Sequence, residues 1–274
     1  MEFWKMNGAG NDFVVIDNRD LRHRLDAATI ARICHRQRGI GADGLLAVEP
    51  AQNGGDYRFR YYNADGGEAE MCGNGARCFG QFLRHRIHGG NLGSATFETI
   101  AGLVRASFPG DGVEIGLSDP HGLRLGQTVD VGGTPFTVHS VNTGVPHAVV
   151  VVDDLEGTDV VGLGRILRRH AAFAPAGTNV NFLKVLAPGH IAIRTYERGV
   201  EDETLACGTG MVASALVHHE LTGAPSPIDV DVRGGETLVV EFGHAGSGYA
   251  DVRLTGPAAF VFRGDIDLEA LSAA

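Results

Sequence analysis

The chain has 274 residues, 43% hydrophobic and 20% charged, enough to bury the core of one large or two modest domains. Its net charge of −10 argues against a nucleic-acid-binding surface, which carries a basic patch. No apolar run approaches the ~18 residues of a membrane span, the start lacks a secretory signal, and four cysteines are too few for a disulfide scaffold, so a reducing, cytoplasmic setting is expected.

In chain order, a first helix is expected over residues 27–36, a strand over 57–62 and a second helix over 73–86. A strand–turn–strand follows over 98–108, then a strand over 113–117. Pro120 and Gly122 interrupt the strands in the segment 117–124, which is read as a seam. Beyond it, helices are expected over 160–172 and 208–221, with strands over 191–196, 237–242 and 249–254. Strands and helices do not alternate strictly, which argues against a doubly wound parallel sheet.

Several segments recur at nearly half the chain length. MCGNGARCFGQFL (71–83) and LACGTGMVASALV (205–217) share Cys-Gly-polar-Gly before a helix-compatible stretch, and Cys72 and Cys207 lie 135 residues apart. FVVID (13–17) recurs as VVVVD (149–153), and the strand–turn–strands at 98–108 and 233–242 each begin 26 residues after a cysteine. The expected fold is therefore α+β: two homologous domains, each a mostly antiparallel, barrel-like sheet around a central helix, related by a pseudo-twofold axis. The first is 1–118 with Cys72, and the tail 264–274 is expected to pack back on it. The second is 119–263 with Cys207.

A helix start presents unpaired N–H groups and about half a positive charge, which favours a thiolate and accepts an anion. Glycines on either side let a carboxylate approach closely. Two such starts around one carboxylate would set two sulfurs on opposite faces of its α-carbon. One would remove the proton, the other return it, and the amides would stabilise the enediolate between the two steps. The outcome is inversion, with no pyridoxal phosphate required. Cys34 and Cys78 lack this duplicated context and read as core residues. His85 and His88, and the run His218-His219-Glu220, lack a matching ligand set, so no metal site is expected. The glycine runs at 8–10 and 39–44 are not dinucleotide fingerprints.

In six segments the chain resembles the diaminopimelate epimerase family, cofactor-independent members of the proline racemase-like superfamily. They are KMNGAGNDFVVID (5–17), RGIGADGLL (38–46), YYNADGGEAEMCGNGARC (61–78), NTGVPHAVVVVDD (142–154), GTNVNF (177–182) and RTYERGVEDETLACGTG (194–210). The resemblance implies interconversion of LL- and meso-diaminopimelate for lysine and peptidoglycan precursors, without a cofactor, in a homodimer whose active sites lie between the two domains. It places catalysis on Cys72 and Cys207, and the reacting carboxylate on Gly73, Asn74, Gly208 and Thr209. Asn11, Asn63, Asn181, Glu197 and Arg198 match substrate-contacting positions, and His147 and Glu197 match residues that tune the thiols. Which of those two serves which sulfur stays open.

Proline-type racemases of the superfamily carry His after Met-Cys-Gly, where this chain has Asn74. Many diaminopimelate epimerases carry glutamine at the position of Gly44 and asparagine at that of Val145, which puts details of distal recognition in doubt. The competing readings are another superfamily isomerase, such as a proline or hydroxyproline racemase, or a non-catalytic amino-acid-binding protein. A thiol redox protein would need a CxxC motif, and there is none.

Overall fold

The computed structural model describes residues 1–246 and 248–273, and the chain folds as two compact units. One comprises Met1–Ile115 together with Gly256–Ala274, the other Gly116–Thr255.

The first unit opens with a hairpin of β1 (Glu2–Gly8) and β2 (Asn11–Asp17). Its two-residue turn, Ala9-Gly10, has positive φ at both positions (54° and 93°), the geometry that suits the twist of a hairpin. α1 (Ala27–Cys34) starts at Asp26, whose carboxylate accepts from the Thr29 N–H at 2.8 Å. It leads to β3 (Gly44–Pro50), parallel to β2, and then to β4 (Tyr57–Asn63), antiparallel to β3. α2 (Gly73–Phe82) follows, widened at its end into a π-helical turn over Leu83–Ile87. β5 (Ser94–Thr99) returns parallel to β4, β6 (Gly102–Ser107) pairs antiparallel with β5, and β7 (Val113–Gly116) with β6.

The second unit repeats that connectivity behind a longer hairpin, β8 (His121–Val131) and β9 (Thr134–Asn142). β9 pairs antiparallel with β10 (Pro146–Val151); α3 (Val160–Arg168) leads to β11 (Asn179–Ala187), parallel to β10; and β12 (His190–Glu197) turns back antiparallel. A short β13 (Asp202–Thr204) precedes α4 (Gly208–Thr222). β14 (Ile228–Asp231) is parallel to β12, and β15 (Thr237–Ala245) and β16 (Gly248–Gly256) complete the unit with antiparallel pairs. Each unit thus holds two parallel pairs within a mostly antiparallel α+β arrangement. α3 is shorter than the expected 160–172: it ends at Arg168, and a separate 3₁₀ turn covers Ala171–Phe173.

The return to the first unit begins at Gly256, eight residues before the expected 264. The reason is β17 (Ala259–Asp265), which pairs antiparallel with β1 and sets the Phe262 ring edge-on to Phe3 at 5.9 Å. After it, α5 (Leu268–Ala273) packs Leu268 and Leu271 over Ile30 and Ile33 of α1.

The central helices are recognisable by their burial. Eight of the ten residues of α2 are buried, and so is every residue of α4 from Gly210 to His218. A helix covered on all sides needs strands around it. In the first unit Phe79 packs against Phe59 and Phe97, with ring centroids 5.0 and 4.9 Å away, and Phe82 against Trp4 at 5.1 Å. Burial pushes the thiols of Cys34 and Cys78 up to about 12, which keeps both protonated. Among the described residues no helix is long and apolar enough to cross a membrane, and no group of three acidic, histidine or cysteine side chains is placed to hold a metal ion.

Candidate active site

Cys72 and Cys207 occupy the same local position, one in each unit. Each is the N-cap residue of a central helix, with extended backbone (φ −139°, ψ 122° and φ −128°, ψ 109°), and its carbonyl accepts the first helical N–H, from Ala76 at 2.7 Å and Met211 at 2.9 Å. Neither helix carries an acidic residue in its first turn, and neither cysteine spends its side chain on a cap bond. The first-turn N–H groups, from Gly73 and Asn74 in α2 and from Gly208 and Thr209 in α4, are donors that no carbonyl of their own helix satisfies.

In the second unit a buried polar chain runs from the sheet to the sulfur. Strand pairing builds it: β10 and β11 put His147 beside Asn179 and Val149 beside Asn181, while β11 and β12 put Asn181 beside Thr195. Alternate residues share a face, so His147, Asn179, Asn181, Thr195 and Glu197 form one polar stripe. Thr195 Oγ1 donates to Asn181 Oδ1 at 2.9 Å, and Asn181 Nδ2 lies 3.1 Å from both His147 Nδ1 and the Ala148 carbonyl. His147 Nε2 lies 2.9 Å from Thr209 Oγ1, which lies 3.6 Å from Cys207 Sγ. The Thr143 hydroxyl donates to the Thr209 carbonyl at 2.9 Å, holding the helix start from the other side. Complete burial, with Arg198 adding positive charge, lowers His147 to about 3, so the imidazole is neutral. Within this unit, Thr209 links His147 to Cys207.

Glu197 lies on the same face, half-buried, and burial raises its carboxyl although the nearby Thr204 side chain acts in the opposite sense. Asn179, which the motif reading passed over, accepts from the Arg198 N–H at 2.7 Å and donates to the Pro146 carbonyl at 3.1 Å. The Arg198 guanidinium donates to the Ala176 carbonyl at 3.2 Å.

In the first unit the helix start is tied to the sheet through charged ends. Arg77, one turn into α2 and fully buried, donates to Asn74 Oδ1 at 2.7 Å and to the Pro257 carbonyl at 3.3 Å. Asn74 Nδ2 donates to Asn11 Oδ1 at 2.5 Å, and Asn11 Nδ2 donates to Asp43 at 2.9 Å. Asp43 also accepts from Arg36 at 2.7 Å, and Arg36 and Lys5 both pair with Asp12. Burial alone would raise the Asp12 carboxyl, but hydrogen bonds from Arg36 and Lys5 hold it well below the usual carboxylate range. Asn63 is exposed at the end of β4, and its Oδ1 accepts from the Tyr61 hydroxyl at 2.8 Å.

Gly44 lies directly opposite Asn63, and a Cβ there would meet the Tyr62 carbonyl at 2.5 Å and the Tyr61 ring at 2.8 Å. Tyr61 fills the space a longer side chain would need. The Val145 carbonyl accepts from Thr143 N at 3.2 Å. Asp43, Thr143, Arg77 and Thr195 were not singled out as site residues; all four sit in matched segments, and among them only Asp43 and Arg77 carry a charge that could have drawn notice.

A family model described as Diaminopimelate epimerase matches residues 3–119 and 139–261. The chain belongs to the diaminopimelate epimerase family. Enzymes named diaminopimelate epimerase from Aquifex aeolicus and Chlorobaculum tepidum are each 42% identical to it; the first alignment covers 99% of both chains, the second 96% of this chain and all of the relative. It is accordingly an isomerase of the epimerase type. Among solved structures, a hydroxyproline epimerase from Agrobacterium vitis aligns with TM-score 0.71 at 18% identity, covering 97% of this chain and 90% of the other. A probable proline racemase from Agrobacterium radiobacter gives TM-score 0.71 at 17% identity, covering 97% and 93%. At such identities the likeness is one of fold.

Proposed function

We propose that this enzyme interconverts LL- and meso-diaminopimelate by proton transfer at the α-carbon, with Cys72 and Cys207 as the two proton carriers and no pyridoxal phosphate. The observation that carries the reading is the repeated placement of a cysteine at the N-cap of a buried central helix, each backed by a hydrogen-bonded chain reaching the second residue of that helix. One sulfur, as thiolate, takes the α-proton; the other, as thiol, delivers a proton to the opposite face. The electron pair left by the departing proton is held as an enediolate, whose oxygens the helix-start N–H groups stabilise. After one turnover the two sulfurs have exchanged protonation states, so their titrations are coupled.

The chain behind Cys207 supports this role. A neutral His147 in contact with the Thr209 hydroxyl leaves that hydroxyl available to the sulfur, and an O–H donor favours the charged form of an acceptor. Asn11, Asn63 and Arg198 are assigned to substrate recognition, where a guanidinium binds carboxylate and an amide both donates and accepts. Glu197, whose carboxyl is raised by burial, is assigned to thiol tuning. The product feeds lysine and cell-wall precursors, the setting is a reducing cytoplasm, and the enzyme works as a homodimer.

The test is a side-by-side assay of LL-diaminopimelate, L-proline and trans-4-hydroxy-L-proline in deuterated water without added pyridoxal phosphate. Turnover of diaminopimelate alone, with deuterium at the inverted carbon, is the expected result. Turnover of a proline instead, or product without solvent label, sinks the reading.

A further inference from the structure

Asn181 is completely buried, and its amide is committed inside the second unit. The Ala148 carbonyl, 3.1 Å from Nδ2, can only accept, so the amino group of Asn181 must face it. The same amino group faces His147 Nδ1 at 3.1 Å, and an amino group can only donate. Nδ1 is therefore the bare nitrogen, and the proton of the neutral ring sits on Nε2. That N–H points at Thr209 Oγ1, which must accept it and so cannot give its own hydrogen to the ring. Cys207 Sγ, 3.6 Å away, is in contact with this oxygen. The Thr195 hydroxyl holds Asn181 Oδ1 at 2.9 Å, and α4 rests on the same oxygen: a Cβ on Gly210 would overlap it.

We infer that Asn181 is a positioning residue, reached by no substrate, that locks His147 in the Nε2–H tautomer and thereby turns the Thr209 hydroxyl hydrogen toward the Cys207 sulfur. Thr195 and Gly210 hold Asn181 in that setting. The catalytic consequence rests on Cys207 being a proton carrier; the tautomer itself does not.

Nitrogen-15 NMR of the full-length protein labelled at histidine tests it. In the wild type His147 is expected with Nε2 protonated and Nδ1 bare across pH 6–8; a ring protonated at Nδ1 overturns the inference with no variant needed. Asn181→Asp offers an acceptor in place of the donor, so the proton is expected to move to Nδ1 and the Thr209 hydroxyl to turn to the ring. The second readout is the pH dependence of iodoacetamide alkylation of Cys207 in a Cys72→Ala background. Losing one hydrogen bond to the charged sulfur is expected to raise its midpoint by about one pH unit. Thr195→Val, the milder change, is expected to shift it in the same direction by less. An unchanged ring tautomer in Asn181→Asp, or an unchanged midpoint in both variants, overturns the inference. If Asn181→Asp fails to fold, the wild-type spectrum and Thr195→Val still decide. A Cys207→Ala enzyme that keeps its turnover, together with the Nε2–H form, overturns the proton-carrier assignment and supports the tautomer.

Discussion

Asn11 and His147 occupy equivalent places in the two units. Each lies two residues before a repeated valine-rich strand segment, and each hydrogen-bonds the side chain two residues after its cysteine, Asn74 or Thr209. What backs them differs. Behind Asn11 stand full charges: Asp43 with Arg36 at one end, Arg77 at the other. The side chains hydrogen-bonded in line behind His147, Asn181 and Thr195, are neutral. The register shows where the divergence arose, because Gly44 holds in β3 the place that Asn181 holds in β11: β2 pairs Phe13 with Gly44, and β10 pairs Val149 with Asn181. With no side chain at Gly44, the amide of Asn11 must be oriented from elsewhere, and the Asp43 carboxylate does it, itself held by the exposed Arg36. One scaffold thus holds two helix starts by two electrostatic strategies, the neutral one leaving a titratable ring next to the sulfur.

The largest test removes the sulfurs. Cys72→Ala and Cys207→Ala should each lower epimerase kcat/KM by about 10³-fold or more, the size of a lost acid–base group; a large loss from only one would break the symmetry of the comparison. Next, Arg77→Met should cost about 3 kcal/mol of stability, because it strips a fully buried acceptor of its charged donor, whereas Thr195→Val should cost about 1 kcal/mol. Urea unfolding of the two variants checks this, and equal costs would show that charge in the first unit carries no extra weight. Gly44→Ala should destabilise by about 2 kcal/mol, since the new methyl has no space beside Tyr61 and Tyr62; a thermal melt reads it.

The smallest effect, taken per pH unit, is a pH dependence. His147 sits at about 3 when folded against a usual value near 6.5, so below pH 6.5 the unfolded chain takes up a proton that the folded chain refuses. Its contribution therefore erodes stability by about 1 kcal/mol per pH unit as pH falls from 6.5 toward 3. His147→Asn, which copies the first unit's solution, should flatten that part of the profile between pH 7 and 5, measured as urea midpoints. A variant as acid-sensitive as the wild type would remove the titrating ring from the comparison.

Duplication, the central helices and the two cysteines were legible because they are local: a short motif before a helix, repeated at half the chain length. The β8–β9 hairpin was not, because β8 is exposed along most of its length and its alternating Leu123, Leu125, Val129 and Val131 are interrupted at Gln127. The C-terminal return was placed eight residues late, since β17 is exposed at Ala259, Val261 and Phe262 and reads as a tail until its pairing with β1 is seen. The supports of the site were harder still. Arg77 is written into the middle of a helix and Thr195 into a strand, where neither spacing nor period marks a residue whose importance lies in a partner more than ten positions away or one turn back. The motif offered Asn181 as a substrate contact, whereas its complete burial and its bonds to His147, Ala148 and Thr195 favour a positioning role.

The pairing of β17 with β1 also bears on how the chain is made. The Met1 amine donates to the Ile266 carbonyl at 2.7 Å and the Ile266 N–H donates to the Met1 carbonyl at 2.9 Å, so the first residue is fastened by one of the last. The second unit is a continuous insertion inside the first. During synthesis it can complete its own strands while β1 still waits for its outer neighbour. The half that is translated first is therefore the half that is finished last, and losing β17 would strip β1 of its outer neighbour.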